Sequence, residues 1–225
     1  MLLAMISESF PCDLVTWAEF YDLAKSLSRL IKSSGWQPDL VVAIGRGGYV
    51  PARVVCDFLV HDLLTSMKVE HWGIAAQKKD QATVRFPLAT GVSGRKVLIV
   101  DDVTDTGDTL TTAVGYVESL GPEEIRTAVL QHKTSSAFEP DFYVEKITDW
   151  KWIIYPWAVH EDLVGFTERV LSSSDLPLSA DQIRADLKRR FMIDVEKERM
   201  AEILEDVVAL GKGTLSGVVY RGVGG

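Results

Sequence analysis

The stretch Val97–Thr109, VLIVDDVTDTGDT, decides the predicted fold. Its apolar half, with Lys96, predicts a buried strand over residues 96–100, and the strand delivers two adjacent carboxylates, Asp101 and Asp102, to its carboxyl end. A turn rich in Thr and Gly follows and opens a helix. In open α/β sheets, ligands bind at the edge where the strands end, so this segment predicts both a parallel sheet and a site on it.

The segments on either side repeat the same strand and helix pattern. The predicted strands and helices are 13–34 (helix), 39–44 (strand), 49–64 (helix), 67–74 (strand), a helix up to Leu120 and 125–131 (strand), with a loop or hairpin over 75–95. This order predicts an α/β fold with a doubly wound, mainly parallel sheet. Aromatic strands around 141–157 and a helix near 160–172 predict a small hood beside the sheet.

The C-terminal part of the chain has a pattern of its own. Residues 1–171 are predicted to form the main domain with its hood, and residues 172–225 a C-terminal helical extension. Two helices, 179–191 and 195–210, precede a strand at 214–221. The predicted order, with basic residues clustered at Arg184, Lys188, Arg189 and Arg190, is compatible with part of a winged helix. The alternative is an extension that packs on the main domain or builds an oligomer contact.

Composition excludes several classes of protein. The chain has 225 residues, two cysteines and a net charge of −8. Two cysteines give neither a disulfide framework nor a structural zinc site, which predicts a reducing, cytoplasmic compartment. The negative charge argues against extensive nucleic-acid binding. No apolar run approaches the length of a membrane span, and residues 1–6 lack the basic start of a signal peptide.

The turn after the acidic pair has the chemistry of a phosphate site. Backbone N–H groups at a helix start, together with the positive end of the helix dipole, bind anions. Thr106 and Thr109 add hydroxyl donors, and Gly107 permits close approach of the backbone. Asp101 and Asp102 are placed for sugar hydroxyls or a divalent cation. The combination predicts a ribose phosphate as the ligand.

This stretch resembles the 5-phosphoribosyl pyrophosphate (PRPP) loop of the type I phosphoribosyltransferases. The shared pattern is an apolar strand, Asp-Asp, two residues, then Asp-Thr-Gly-x-Thr. The resemblance implies Mg²⁺ as cofactor, with ribose and metal near Asp101 and Asp102, and Asp105 as the catalytic group that accepts a proton from the base. It implies that the 5′-phosphate lies on five residues: Asp105, Thr106, Gly107, Asp108 and Thr109.

A second loop fits the same ligand. Ile44–Gly48, IGRGG, follows the first predicted core strand. Glycine N–H groups and an arginine fork suit phosphate oxygens. The resemblance implies that this loop binds the pyrophosphate through Arg46, Gly47 and Gly48. The resemblance adds a cis peptide, which would be Gly45–Arg46. A site that excludes water also predicts a lid, and residues 77–90 contain Lys78, Lys79 and Arg85.

Two further segments point to the acceptor. Lys133 ends a predicted strand at the edge of the donor loop, and Trp-Ile-x-x-Pro-Trp follows at residues 152–157. This pair resembles the base pocket of 6-oxopurine phosphoribosyltransferases, closest to the bacterial xanthine–guanine enzymes. The resemblance implies that Lys133 donates to the 6-oxo group, Trp152 stacks on the ring and Ile153 contacts its edge. Ala158 departs from the acidic residue of that pattern.

The sequence and the resemblance together predict a purine-salvage transferase. It would move the 5-phosphoribosyl group from PRPP to N9 of hypoxanthine, guanine or xanthine, release pyrophosphate and form a nucleoside 5′-monophosphate. Neither a membrane nor nucleic acid is expected as a partner. The resembled family commonly forms dimers, so a homodimer is expected. Two alternatives remain: a PRPP-sensing transcriptional regulator that binds DNA through its tail, and a phosphoribosyltransferase for adenine or a pyrimidine. Which 6-oxopurine is preferred is left open.

Overall fold

A computed structural model describes residues 9–72 and 78–223. Side chains are described for all of these residues except 71, 72 and 78–81. The elements in chain order are β1 (Cys12–Leu14), α1 (Trp17–Ser33), β2 (Leu40–Gly45), α2 (Tyr49–Leu59), β3 (Leu64–Trp72), β4 (Lys78–Phe86), β5 (Lys96–Thr104), α3 (Asp108–Glu118), β6 (Glu124–Lys133), β7 (Phe142–Ile147), β8 (Trp152–Ile154), α4 (Val159–Ser172), β9 (Leu178–Ser179), α5 (Ala180–Phe191), α6 (Lys197–Ala209), β10 (Gly213–Ser216) and β11 (Val219–Gly222). Within the described ranges, no helix combines the length and apolar character that a bilayer span requires.

The central sheet has six strands in the order β4-β3-β2-β5-β6-β7. All neighbouring pairs are parallel except β3 with β4, which is antiparallel. The chain leaves β2 toward β3 on one side and leaves β5 toward β6 on the other. The strand order therefore reverses between β2 and β5, and the crevice beyond the carboxyl ends of these two strands is the expected ligand site. The predicted α/β fold with a mainly parallel sheet is confirmed.

Both faces of the sheet are packed. Side chains alternate between the faces of a strand. Val42 and Ile99 belong to a core cluster with Leu110 and Val117 of α3. The intervening residues of the same strands are equally buried, so the opposite face is covered as well. A parallel sheet buried on both faces explains why these strands were visible as nearly continuous apolar runs.

Several predicted boundaries were wrong by a few residues. β5 continues through Thr104, so the acidic pair lies within the strand, and the reason is the long parallel ladder that β5 forms with β6. α2 ends at Leu59, where Val60 adopts a left-handed conformation with φ of 55°. α1 begins at Trp17 rather than at residue 13, because residues 12–14 pair with β8. The segment 75–95 contributes β4, which forms a hairpin with β3.

The chain divides into two compact units. Among the described residues, one unit holds 17–72 and 78–150, and the other holds 9–16 and 151–223. In the second unit α4 packs on α5 and α6, and the three-stranded sheet has the order β10-β11-β9. From α4 onward the elements follow the order helix, strand, two helices and hairpin, which is the element order of winged helices.

The prediction of a single strand at 214–221 was wrong, since Gly217, at φ of 63°, turns the chain between β10 and β11. The predicted domain boundary between residues 171 and 172 stays a prediction. α4, which ends at Ser172, packs on α5 and α6.

Candidate active site

The loops after β2 and β5 meet at the point where the strand order reverses. A Cβ added to Gly47 would lie 2.3 Å from Asp102 Oδ2. A side chain at position 47 would have to displace the Asp102 carboxylate, so the glycine lets the two loops approach this closely. The residues predicted to hold pyrophosphate and those predicted to hold ribose are thereby neighbours.

The loop after β2 continues directly into α2. A Cβ on Gly48 would lie 2.4 Å from the carbonyl oxygen of Val100, so this backbone also sits against β5. The peptide between Gly45 and Arg46 is cis, as predicted. The Arg46 side chain is exposed. The loop thus presents a guanidinium and backbone at the crevice, which is the donor set that a pyrophosphate group needs.

The two adjacent aspartates of the acidic pair have different environments. Asp101 is buried and Asp102 is half-buried. Burial, and then the neighbouring charge of Asp102, raise the pKa of Asp101 well above its usual range. The N–H of Asp102 donates to Asp101 Oδ1 over 3.0 Å, and the N–H of Val103 donates to Asp102 Oδ1 over 2.8 Å. These bonds fix both carboxylates at the strand end.

The turn between β5 and α3 has the form predicted for a phosphate cradle. Gly107 is the N-cap of α3, has a φ of 91°, and makes no side-chain cap. The N–H groups of the first helical turn have no acceptor within the helix and are directed out of its start, and that of Asp108 donates to Thr106 Oγ1 over 3.5 Å. The Thr106 hydroxyl donates to Asp108 Oδ2 over 2.7 Å, which fixes the turn from within. Backbone N–H groups, a helix dipole and the hydroxyl of the half-buried Thr109 suit a phosphate monoester.

The segment after β6 supports this turn from outside. The N–H of Ala137 donates to the Thr106 carbonyl over 3.0 Å, and the Ser135 hydroxyl donates to the Asp105 carbonyl over 3.4 Å. A Cβ on Gly107 would lie 2.7 Å from both the backbone nitrogen and Cβ of Phe138. These contacts hold the cradle in shape.

Three side chains meet beside the cradle. Lys133 Nζ, at the end of β6, lies 3.1 Å from Asp105 Oδ2, and both residues are less than a tenth exposed. The indole N–H of Trp150 donates to Asp105 Oδ1 over 3.0 Å. Lys133 Nζ also lies 4.7 Å from the centre of the Trp150 ring. The structure thus joins Lys133 and Asp105, as expected at one strand edge, and adds Trp150.

The other predicted residues are on β8 and β4. Trp152 and Ile153 are on β8 in the second unit, where the Trp152 indole donates to Asp162 Oδ2 over 3.2 Å and Ile153 is buried. Arg85 lies exposed on β4. The side chains of Lys78 and Lys79 are outside the described residues. The roles of these five residues remain predictions.

The donor set at the strand end fits Mg²⁺ bound together with a substrate. In the described part of the chain, no three His, Cys, Asp or Glu residues cluster as a metal cage. Mg²⁺ usually binds through one or two carboxylates plus phosphate or sugar oxygens of the substrate. Asp101 and Asp102 supply that number of carboxylates, next to the predicted phosphate loops.

Comparison with known proteins agrees with this geometry. The family model described as "Phosphoribosyl transferase domain" matches residues 13–162. The chain belongs to the phosphoribosyltransferase family. This phosphoribosyltransferase is 28% identical over 144 residues to a xanthine-guanine phosphoribosyltransferase of Gluconobacter oxydans, covering 64% of the chain and 82% of that protein.

Two further relatives agree. A xanthine-guanine phosphoribosyltransferase of Nitratidesulfovibrio vulgaris is 31% identical over 146 residues, again covering 64% and 82% of the two chains. The crystal structure of a purine phosphoribosyltransferase from Pyrococcus horikoshii superposes with a TM-score of 0.56 at 29% identity, covering 65% of this chain and 93% of that one.

Trp150 is a site residue that the sequence pattern did not predict. It stands two positions before Trp152, and the two aromatic residues look alike in a linear pattern. β7 pairs with β6 and ends at Ile147, three residues before Trp150. Nothing in the sequence spacing indicates that its N–H reaches Asp105.

Proposed function

We propose that this phosphoribosyltransferase moves the 5-phosphoribosyl group from PRPP to N9 of a 6-oxopurine and releases pyrophosphate. One observation carries the proposal: the Lys133 ammonium and the Asp105 carboxylate lie 3.1 Å apart beside the phosphate cradle. The 6-oxo group and N7 are neighbours on one edge of a purine. A donor beside an acceptor fits a carbonyl oxygen next to an N–H, whereas the 6-amino group of adenine would meet Lys133 as donor against donor.

The names of the relatives support a purine rather than a pyrimidine acceptor. In the proposed complex the 5′-phosphate binds the N–H groups of residues 105–109, and the ribose hydroxyls lie near Asp101 and Asp102. Arg46, Gly47 and Gly48 hold the pyrophosphate. Trp152 stacking on the base, and Ile153 contacting its edge, belong to the same proposal. With Ala158 where the resembled enzymes carry an acid, the group that recognises the purine 2-substituent is not assigned.

The reaction follows from these positions. The bond between C1′ and the pyrophosphate oxygen breaks, the bond between C1′ and N9 forms, and the N7 proton passes to Asp105. Arg46 stabilises the charge that develops on the leaving pyrophosphate. Asp101 and Asp102 would hold Mg²⁺, which supplies charge neutralisation for the pyrophosphate. The bound, oriented reactants account for much of the rate.

A panel of bases tests the proposal. The protein would be incubated with PRPP, Mg²⁺ and one of hypoxanthine, guanine, xanthine, adenine, orotate or uracil, and pyrophosphate release would be measured. We expect turnover with at least one 6-oxopurine and little with the other three bases. Turnover confined to adenine or a pyrimidine would refute the assignment of the acceptor.

Replacing Lys133 by Gln should weaken use of 6-oxopurines. A hydrogen bond from a charged group contributes about 1.5–3 kcal/mol, so kcat/KM for the base should fall about 10- to 150-fold. Steady-state kinetics with varied base would show it. Lys146→Gln, an exposed lysine on β7, is the matched control and should match the unmodified enzyme. Equal kcat/KM in Lys133→Gln and the control would remove Lys133 from base recognition.

The winged-helix order of the tail favours a second candidate, the PRPP-sensing regulator. In helix-turn-helix proteins the second helix of the pair enters the major groove, which here would be α6. Exposed carboxylates line α6 at Glu198, Glu202 and Glu205. On α5, three of the clustered bases, Arg184, Lys188 and Arg189, each lie within ion-pair distance of an aspartate. Such a surface repels a phosphate backbone.

We therefore expect the protein not to bind duplex DNA. In a gel shift at about 0.1 M salt, it should not retard DNA at micromolar concentrations, which lie at the tight end of ordinary non-specific binding. Retardation that weakens steeply as salt rises would support the regulator instead.

The proposed functional form is a homodimer. Trp17 and Tyr21 are 58% and 49% exposed at successive turns of α1, which places two large aromatic side chains next to each other on its outer surface. Sedimentation velocity of the full chain reports the number of subunits.

A further inference from the structure

We propose that Trp150 is a positioning residue that holds the Asp105 carboxylate in place for proton acceptance while Lys133 turns to the purine. The inference rests on the proposed function of Asp105. Its structural basis is the indole N–H of Trp150, which donates to Asp105 Oδ1 over 3.0 Å. Trp150 itself contacts no substrate in this account, because its effect passes through Asp105.

The cluster divides the two carboxylate oxygens between two donors. Lys133 Nζ lies 3.1 Å from Oδ2, whereas the Trp150 N–H occupies Oδ1. Because the two donors contact opposite oxygens, they fix both the position and the rotation of the carboxylate plane. Asp105 is 8% exposed, so few water molecules are available to replace a lost donor.

Purine binding changes one of these two bonds. Lys133 is the proposed donor to the 6-oxo group, and in doing so it shares or gives up its contact with Asp105. Oδ2 then accepts the N7 proton. The indole ring fixes the direction of the Trp150 N–H, so this bond keeps the carboxylate in place while Lys133 turns from Asp105 to the purine. A misplacement of about 1 Å at a reacting group can cost about 10²-fold in rate.

The Trp150 ring has a second contact that favours the same arrangement. Lys133 Nζ lies 4.7 Å from the ring centre, within the range of a cation–π interaction. Phe at position 150 would keep an aromatic face for Lys133 but would lack the N–H and one of the two fused rings. The exchange Trp150→Phe therefore removes the hydrogen bond to Asp105, and a second Trp-to-Phe exchange controls for the lost ring.

The test is a double-mutant cycle of Trp150→Phe and Asp105→Asn, measured as kcat and KM for PRPP. We expect Trp150→Phe alone to lower kcat about 10- to 150-fold, as loss of a hydrogen bond to a charged group implies, with KM for PRPP within twofold of the unmodified enzyme. In the Asp105→Asn background the same exchange should change kcat less than twofold, because the carboxylate is already gone. Equal losses in both backgrounds, or an unchanged kcat in Trp150→Phe, would overturn the proposal.

Trp36→Phe is the matched control. The Trp36 indole N–H donates to Glu124 Oε2 over 2.7 Å, so the exchange deletes the same kind of bond. Glu124 begins β6 and Lys133 ends it, which separates this pair from the site by about 30 Å at a rise of about 3.3 Å per residue. kcat should be unchanged in Trp36→Phe.

A second measurement does not depend on activity or on the Phe variant folding. The indole N–H resonance of Trp150 would be assigned in the unmodified protein and compared with that in Asp105→Asn. We expect it to shift clearly on loss of the charged acceptor, and an unmoved resonance would overturn the contact. If the unmodified enzyme were inactive with every base, the proposed function would fail while this resonance still decided the contact.

Discussion

Asp105→Asn should lower kcat by about 10²- to 10⁴-fold, the range that general-base groups contribute. Asn keeps the size of the side chain and an acceptor for the Trp150 N–H, but it cannot take the N7 proton. Asn also removes the charged partner of Lys133, which lies 3.1 Å from the carboxylate. KM for PRPP should stay near that of the unmodified enzyme, because the phosphate in this account binds backbone N–H groups.

Single-turnover and steady-state kinetics with saturating hypoxanthine or guanine would measure this loss. Asp39→Asn is the control, since its carboxylate accepts a backbone N–H from Lys96 over 2.8 Å at the opposite end of β5. An Asp105→Asn enzyme as fast as the Asp39→Asn control would show that another group accepts the proton.

Gly107→Ala should damage PRPP binding rather than the chemical step. Gly107 has a φ of 91°, and a Cβ there would lie 2.7 Å from the backbone nitrogen of Phe138 and 2.8 Å from Ser136 Oγ. Such a residue costs about 1–3 kcal/mol of strain, which the turn can relieve only by moving the N–H groups that the phosphate needs. KM for PRPP should therefore rise about 5- to 150-fold, with a smaller change in kcat.

The same helix provides the control for this glycine. Gly115 lies inside α3 with no atom within 4 Å of an added Cβ. Gly115→Ala should leave KM unchanged and stabilise the protein by about 0.5–1 kcal/mol, as Ala does in helix interiors. Isothermal titration with PRPP and thermal unfolding would report both effects. Equal PRPP affinity in Gly107→Ala and Gly115→Ala would contradict the phosphate cradle.

The central sheet and the phosphate turn were predictable because their determinants are local. The apolar run before Asp101 and the Thr- and Gly-rich turn after it encode strand, cradle and helix within about a dozen residues. The turn after β2 is similarly short, and the Gly45–Arg46 peptide is cis, as the resemblance to the family implied. Where the determinants lie next to each other, chain order already implies the geometry.

Other features depend on contacts between residues far apart in the chain. β1 pairs with β8 across about 140 residues, as in Cys12 with Trp152, and three residues carry no periodicity that could announce a strand. The bond from Trp150 to Asp105 spans 45 residues and depends on the direction of one ring. Sequence spacing does not encode such directions, which arise only after the sheet has formed.

A crystal structure of the protein with a 6-oxopurine nucleoside 5′-monophosphate would show directly where the phosphate binds. We expect the phosphate on the backbone N–H groups of residues 105–109, with the ribose beside Asp101 and Asp102 and the base edge against Lys133. A nucleotide bound with its phosphate at any other position, and none on this turn, would contradict the account.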